Sequence, residues 1–170
     1  MFKGPYRGDA KGVWYLEGDI MIRFEEYLPI ATGTAAKAIN DAFNNVVLKY
    51  GLTRSQCVAL YYIDLDGSTN QKDLAKKMNI RESTMTGLLE RMERDELIDR
   101  KPDKEDMRRK TISLSNRGED KLSEISQVTK EFVKEATSKI SDKDIEIYQK
   151  VLDQMVESTL DWQEDKIKSL

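Results

Sequence analysis

Apolar positions recur along most of this chain at helical spacing. Ala35, Ile39, Ala42, Phe43, Val46 and Tyr50 step by three and four, which predicts a helix burying a single stripe and ended by Gly51. Thr53-Arg-Ser-Gln56 has the capping-box form, in which the threonine oxygen accepts from an orphan N–H and the glutamine reaches back. A second helix then runs to about Asp66, with Cys57, Leu60, Tyr61 and Leu65 on one face. Asn70 caps a two-turn helix, Gln71 to Met78, whose inward positions are Leu74, Ala75 and Met78. After a turn at Asn79 and Ile80, a helix of about Arg81 to Asp95 sends Met85, Leu88, Leu89 and Met92 inward.

The period then changes. Leu97 to Lys101 and Lys110 to Leu114 are short and rich in branched residues, and the charged segment 102–109 separates them, so they predict a hairpin with a long tip. Ser115 caps a helix carrying Leu122, Ile125, Thr129, Phe132, Val133, Ala136 and Ile140. Ser141-Asp-Lys-Asp144 opens a last helix, on which Ile145, Tyr148, Leu152, Met155, Thr159 and Trp162 form a seam for a partner helix. Prolines occur at 5, 29 and 102 only and are read as breakers. Residues 1 to about 18, with glycines at 4, 8, 12 and 18, read as a loosely ordered arm in which Trp14 and Tyr15 are a docking point.

Two helices joined by a tight turn and followed by a two-stranded ribbon form a winged helix-turn-helix. The expected fold is mainly α with a small β-hairpin wing, a winged helix-turn-helix plus a helical dimerisation region. Residues 1–27 form an N-terminal arm, 28–52 and 115–170 the helical dimerisation region, and 53–114 the winged helix-turn-helix.

Composition narrows the chemistry. The chain has no histidine and one cysteine among 170 residues, which removes Ser/His and Cys/His nucleophile pairs, imidazole metal sites, an internal disulfide and a multi-cysteine metal site. No cofactor, metal or catalytic activity is expected. No stretch approaches the ~20 apolar residues that cross a bilayer, and the first residues lack an apolar signal core, so the expected location is the cytoplasm. The net charge of −3 excludes a uniformly basic coat, but residues 68–118 carry 13 Lys and Arg against 10 acidic residues, while 119–170 carry 8 against 13. Positive charge therefore concentrates on the winged segment, where phosphate contacts need it.

The candidate DNA-binding residues are Asn70, Gln71, Arg81, Ser83, Thr84, Thr86, Arg91, Arg94, Asp106, Arg108, Arg109 and Lys110. Ser83, Thr84 and Thr86 are short donors and acceptors that let a helix approach base edges, while Arg91 and Arg94 reach phosphates. On the wing tip Asp106 and Arg108 lie two apart, so the carboxylate can aim the guanidinium into a minor groove, with Arg109 and Lys110 on phosphates. The plain alternatives are a solvated charged loop and an ordinary exposed helix face, on which Glu90 and Arg94 form an i,i+4 pair worth about 0.3 kcal/mol. A winged-helix module that binds a protein surface instead of DNA is the rival from another class.

The segments Leu52-Thr-Arg-Ser-Gln56, Gln71-Lys-Asp-Leu-Ala75, Ser83 to Leu89, Leu97-Ile-Asp-Arg100, Asp103 to Arg108 and Leu114-Ser-Asn-Arg-Gly118, in this order and spacing, resemble the MarR family of bacterial transcription factors. The resemblance implies a homodimer whose two winged lobes read a pseudo-palindromic operator, and a repressor released by a small, often aromatic, effector. Arg81 stands where the family has a small N-cap, Gly87 where it often has an arginine, Glu96 where it usually has glycine, and Met107 where the wing pair has its first arginine. Ile145, Tyr148, Leu152, Met155 and Trp162 are the candidate dimerisation residues. Tyr27, Phe43, Tyr50, Tyr61 and Tyr62 are candidates for an effector pocket, against the commoner role of helical aromatics as core. Cys57 is read as a buried structural thiol rather than a redox sensor.

Overall fold

A computed structural model describes residues 14–15, 21–22, 28–102 and 110–168. Among them the order is β1 (Trp14–Tyr15), β2 (Met21–Ile22), α1 (Leu28–Val47), a 3-10 turn (Leu48–Tyr50), α2 (Arg54–Asp66), β3 (Thr69–Asn70), α3 (Gln71–Lys77), α4 (Glu82–Arg94), β4 (Ile98–Pro102), β5 (Lys110–Leu114), α5 (Asn116–Thr137) and α6 (Asp142–Lys168). The chain forms two compact units, Met1–Ser126 and Gln127–Leu170, with the division inside α5.

Local signals set most of these boundaries. The Thr53 hydroxyl accepts from Gln56 N at 3.3 Å while Gln56 Oε1 accepts from Thr53 N at 2.8 Å, which completes the capping box expected for α2. Gln56 is the one buried polar side chain of the core among the described residues, and its Nε2 donates to Asp95 Oδ2 at 3.3 Å, tying the start of α2 to the end of α4. Asn70 Oδ1 accepts from Asp73 N at 3.0 Å and caps α3. The Ser115 hydroxyl accepts from Gly118 N at 3.0 Å and the Ser141 hydroxyl from Asp144 N at 3.2 Å, so α5 and α6 begin where the serines predict.

The core of the first unit gathers Val47, Leu52, Cys57, Ala59, Leu60, Ile63, Leu74, Ala75, Met85, Leu88, Leu89, Met92, Leu97, Ile98 and Ile112. The expected inward face of α4 is therefore right. On α2 the expectation fails in part: Leu60 and Cys57 are buried, but Tyr61 is 54% and Leu65 63% exposed, and Ala59 and Ile63 take their places. The stripe on α1 is also not buried by its own chain, since Ala35, Ile39 and Ala42 are exposed and Phe43, Val46 and Tyr50 half-buried.

Three further corrections concern backbone. Pro29 does not break a helix but lies in the first turn of α1, where its missing N–H has no intrahelical partner to lose. The hairpin has a third strand: β3 pairs antiparallel with β5 through Thr69 opposite Ile112 and Asn70 opposite Thr111, giving the order β3-β5-β4. Within the supposed loose arm, β1 and β2 form an antiparallel ladder with Trp14 opposite Ile22. Glu96 is left-handed, with φ at 58°, in the place expected of a glycine, a cost on the order of 1 kcal/mol.

Candidate nucleic-acid interface

The turn Asn79 has φ at 50° and brings α4 back against α3, so that α4 exposes its outer face while Met85, Leu88, Leu89 and Met92 anchor the inner one. Ser83 and Thr84 are exposed in its first turns, and neither forms a side-chain hydrogen bond among the described residues. Arg81 is the N-cap with no capping hydrogen bond from its side chain, so its guanidinium is free of the helix end. These groups are small or long at the end of the helix that is least encumbered.

Three expected contact residues are committed elsewhere. Thr86 is half-buried: its hydroxyl donates to Glu82 O at 3.0 Å and accepts from Gln71 Nε2 at 2.9 Å, so Gln71 and Thr86 clip α3 to α4. Asn70 is engaged in its cap and donates from Nδ2 to Asp73 Oδ2 at 2.6 Å. The expected Glu90–Arg94 pair is absent; Arg94 Nε lies 3.1 Å from Asp95 Oδ1 instead, with 71% of its side chain exposed. Arg91 is exposed with neither a hydrogen bond nor an ion pair among the described residues.

On the wing, Lys110 is exposed at the start of β5, opposite Pro102. Asp106, Arg108 and Arg109 lie outside the described residues. The sequence reading missed Arg100, which faces Ile112 across the β4–β5 ladder and pairs with Glu93 of α4 at 3.4 Å. Its Nε is buried with no hydrogen-bond partner among the described residues. It opens onto a surface hollow of about 450 Å³ shared with Gln71, Glu82 and Lys110. Its place on the strand face of Ile98 and Pro102, opposite Ile112, was the available signal, since a charge there must turn towards a partner.

The structure describes four of the five proposed effector aromatics. Tyr27 lies outside the described residues, Phe43 and Tyr50 sit half-buried on α1 and the 3-10 turn after it, and Tyr61 and Tyr62 meet edge to face at 5.4 Å. Of the four described, Tyr62 alone lines a cavity of about 240 Å³ between α2, α3 and α4, which Arg54, Lys77, Thr84 and Arg91 also line. On α6, Ile145, Leu152 and Met155 are half-buried, and Tyr148 and Trp162 are 56% and 63% exposed.

Cys57 is buried, and desolvation pushes its thiol up to about 11. Because the thiolate is the reactive form, iodoacetamide is expected to leave the folded protein unmodified at pH 7.5 over a time that fully alkylates the denatured chain. Burial of the neutral thiol contributes stability present below pH 9.0 and lost as pH rises towards about 11, because the unfolded chain ionises first. Alkylation at equal rates in both states would place Cys57 at an accessible, activated site.

A helix pair whose second member offers a polar, hydroxyl-bearing face, flanked by a wing with cations at its base, defines a winged helix-turn-helix DNA-binding protein. Residues 52–110 match the model of the MarR family. An HTH-type transcriptional regulator of Bacillus subtilis, YsmB, is 29% identical over 117 residues, 69% of this chain and 80% of its own length. The HTH-type transcriptional regulator SarZ of Staphylococcus epidermidis is 32% identical over 96 residues, 55% of this chain and 65% of its own. The crystal structure of the S. aureus MepR–DNA complex superimposes with a TM-score of 0.70 at 25% identity, over 76% of this chain and 96% of that one.

Over residues 52–110 the chain is similar to the MarR family, and the curated relatives it matches are HTH-type transcriptional regulators. This similarity favours a DNA-binding regulator over the protein-interaction module. No described helix is long and apolar enough to cross a membrane, and no group of described residues has the composition of a metal site.

Proposed function

We propose that this protein is a transcriptional regulator that binds a pseudo-palindromic operator as a homodimer and represses until an effector releases it. The observation that carries the reading is the outer face of α4, where exposed Ser83 and Thr84 have no side-chain hydrogen bond, and Arg81 and Arg91 no ion pair, among the described residues. In this reading α4 enters a major groove. Ser83 and Thr84 meet base edges, Arg81, Arg91 and Arg94 meet phosphates, and Gln71, held by Thr86, fixes the angle between α3 and α4. The wing reaches the adjacent minor groove with Arg108, aimed by Asp106, while Arg109 and Lys110 lie along the backbone.

Residues 53–114 are the DNA-binding lobe, and 28–52 with 115–170 the dimerisation region. The exposed stripe of α1 and the seam of Ile145, Tyr148, Leu152, Met155 and Trp162 on α6 support that assignment, because a second copy would cover apolar surface this chain leaves open. The cavity beside Tyr62 supports a small aromatic effector with an acidic group, given Arg54 and Arg91 in its lining.

The test is selection of a duplex from a random library, followed by a salt series of binding to that duplex and to mixed-sequence DNA. Specific affinity falling steeply with salt is expected, with a slope of about 0.9 per phosphate contact. Binding that is weak and equal on both duplexes would refute the reading. On the selected duplex Arg108→Ala is expected to lose at least tenfold in affinity, about 1.4 kcal/mol, while Lys139→Ala, exposed beyond the end of α5, stays within twofold. Equal losses would remove the wing from the contact surface.

A further inference from the structure

One arginine on the outer face of α4 lies beside a glycine of the same helix. Gly87 lies in the middle of α4, where glycine is disfavoured by about 1 kcal/mol relative to alanine, although its φ is not in the left-handed region and no backbone contact demands it. A Cβ built on Gly87 would meet a single neighbour within 4 Å, Nη1 of Arg91 at 3.5 Å. The Arg91 side chain therefore runs back towards the N-terminus of its own helix, as long helical side chains do, and lays its guanidinium against the bare α-carbon one turn earlier. At 3.5 Å a methyl group would only touch the guanidinium, but a longer side chain at 87 would occupy its place.

The other paired arginines near this face are engaged with carboxylates, Arg94 with Asp95 at 3.1 Å and Arg100 with Glu93 at 3.4 Å. Arg91 has no such acceptor among the described residues, so its five donors are unclaimed. A guanidinium seated against the helix would keep the profile low and would give up less freedom when an anion arrives.

We propose that Gly87 and Arg91 act as one phosphate-binding unit, in which the bare α-carbon of Gly87 is a notch that seats the Arg91 guanidinium for a DNA backbone phosphate. Gly87 is a positioning residue and Arg91 makes the contact. The inference rests on the reading of α4 as the helix that enters the groove, and it adds that the charge on this face is set by the absence of a side chain four residues earlier.

The experiment is a cycle of four variants measured on the duplex selected by the wild-type protein, with affinity and salt slope as readouts. Arg91→Ala is expected to weaken binding about tenfold and to lower the salt slope by about one phosphate. Gly87→Leu, which fills the notch with a good helix former, is expected to do the same, although it leaves every charge in place. The double variant is expected to be no worse than either single one, and Gly87→Ala to stay within threefold of wild type. Thermal melting at or above the wild-type temperature for Gly87→Ala and Gly87→Leu excludes a folding effect, because both replace a helix-interior glycine. Additive losses would overturn the inference, since they would mean that Gly87 serves only close approach, independent of Arg91. An unchanged salt slope in Gly87→Leu would overturn it as well. Wild-type protein that selects no duplex would instead bring down the underlying reading of α4.

Discussion

Gly118→Ala is expected to destabilise the first unit by about 3 kcal/mol, a drop of roughly 6–12 °C in melting temperature for a chain of this size. A methyl group there would lie 2.0 Å from the carbonyl oxygen of Leu97 and 3.1 Å from its carbonyl carbon. Neither is the end of a flexible side chain. The same carbonyl accepts from Ser115 N at 3.2 Å, and the Ser115 hydroxyl accepts from Gly118 N at 3.0 Å while donating to Glu96 O. Leu97 and Gly118 are thus fastened from both sides, so relief of the clash requires the whole junction between the wing and α5 to open. Leu97 is itself buried, which removes sliding as an escape. The control is Gly33→Ala in α1, which has nothing within 4 Å of the new methyl and is expected to gain up to about 1 kcal/mol. A Gly118→Ala protein that melts with wild type would mean that this junction is looser than its geometry.

For the proposed homodimer, Leu152→Asp is expected to raise the dissociation constant at least 100-fold and to abolish high-affinity operator binding with it. In the second unit α6 runs for 27 residues, about 40 Å, and none of its side chains is buried by the chain itself. A solvated helix of that length carrying Tyr148, Val151, Val156, Leu160, Trp162 and Ile167 at 37% exposure or more needs apolar cover to persist. A carboxylate at 152, in the middle of the seam, would be stripped of water without a partner. Gln154→Asp places the same charge two residues along, some 200° around the helix, and is expected to leave the dimer intact. Sedimentation measures the association directly. Equal behaviour of the two variants would assign the cover of α6 to something other than a second copy through this seam.

How far the sequence spoke depends on the reach of each signal. Caps are local chemistry, so Thr53 with Gln56, Asn70, Ser115 and Ser141 are all legible within four residues, as is the inward stripe of α4. The left-handed turn at Glu96 was legible only through the family resemblance, since nothing in glutamate asks for it. By contrast β3 is two residues long and has no period to detect; it exists because β5 offers it an edge more than 40 residues away. Tyr61 and Leu65 sit at helical spacing yet face outward, because periodicity gives the width of an apolar stripe but not which part of it the core will cover. Thr86 and Arg94 chose Gln71 and Asp95 over the expected partners, a choice made by tertiary proximity in the first case and by the C-cap residue in the second.

The side chain of Gln56 shows how such distant choices become a constraint on substitution. Within its capping box glutamate and glutamine are interchangeable, since either supplies an oxygen to the backbone N–H of Thr53. The amide nitrogen breaks the tie by donating to Asp95, 39 residues away at the end of α4, where a glutamate would set one carboxylate against another. A synonym in the local code is thus a different word in the tertiary one, and a substitution at position 56 that preserves the beginning of one helix would be read as an error at the end of another.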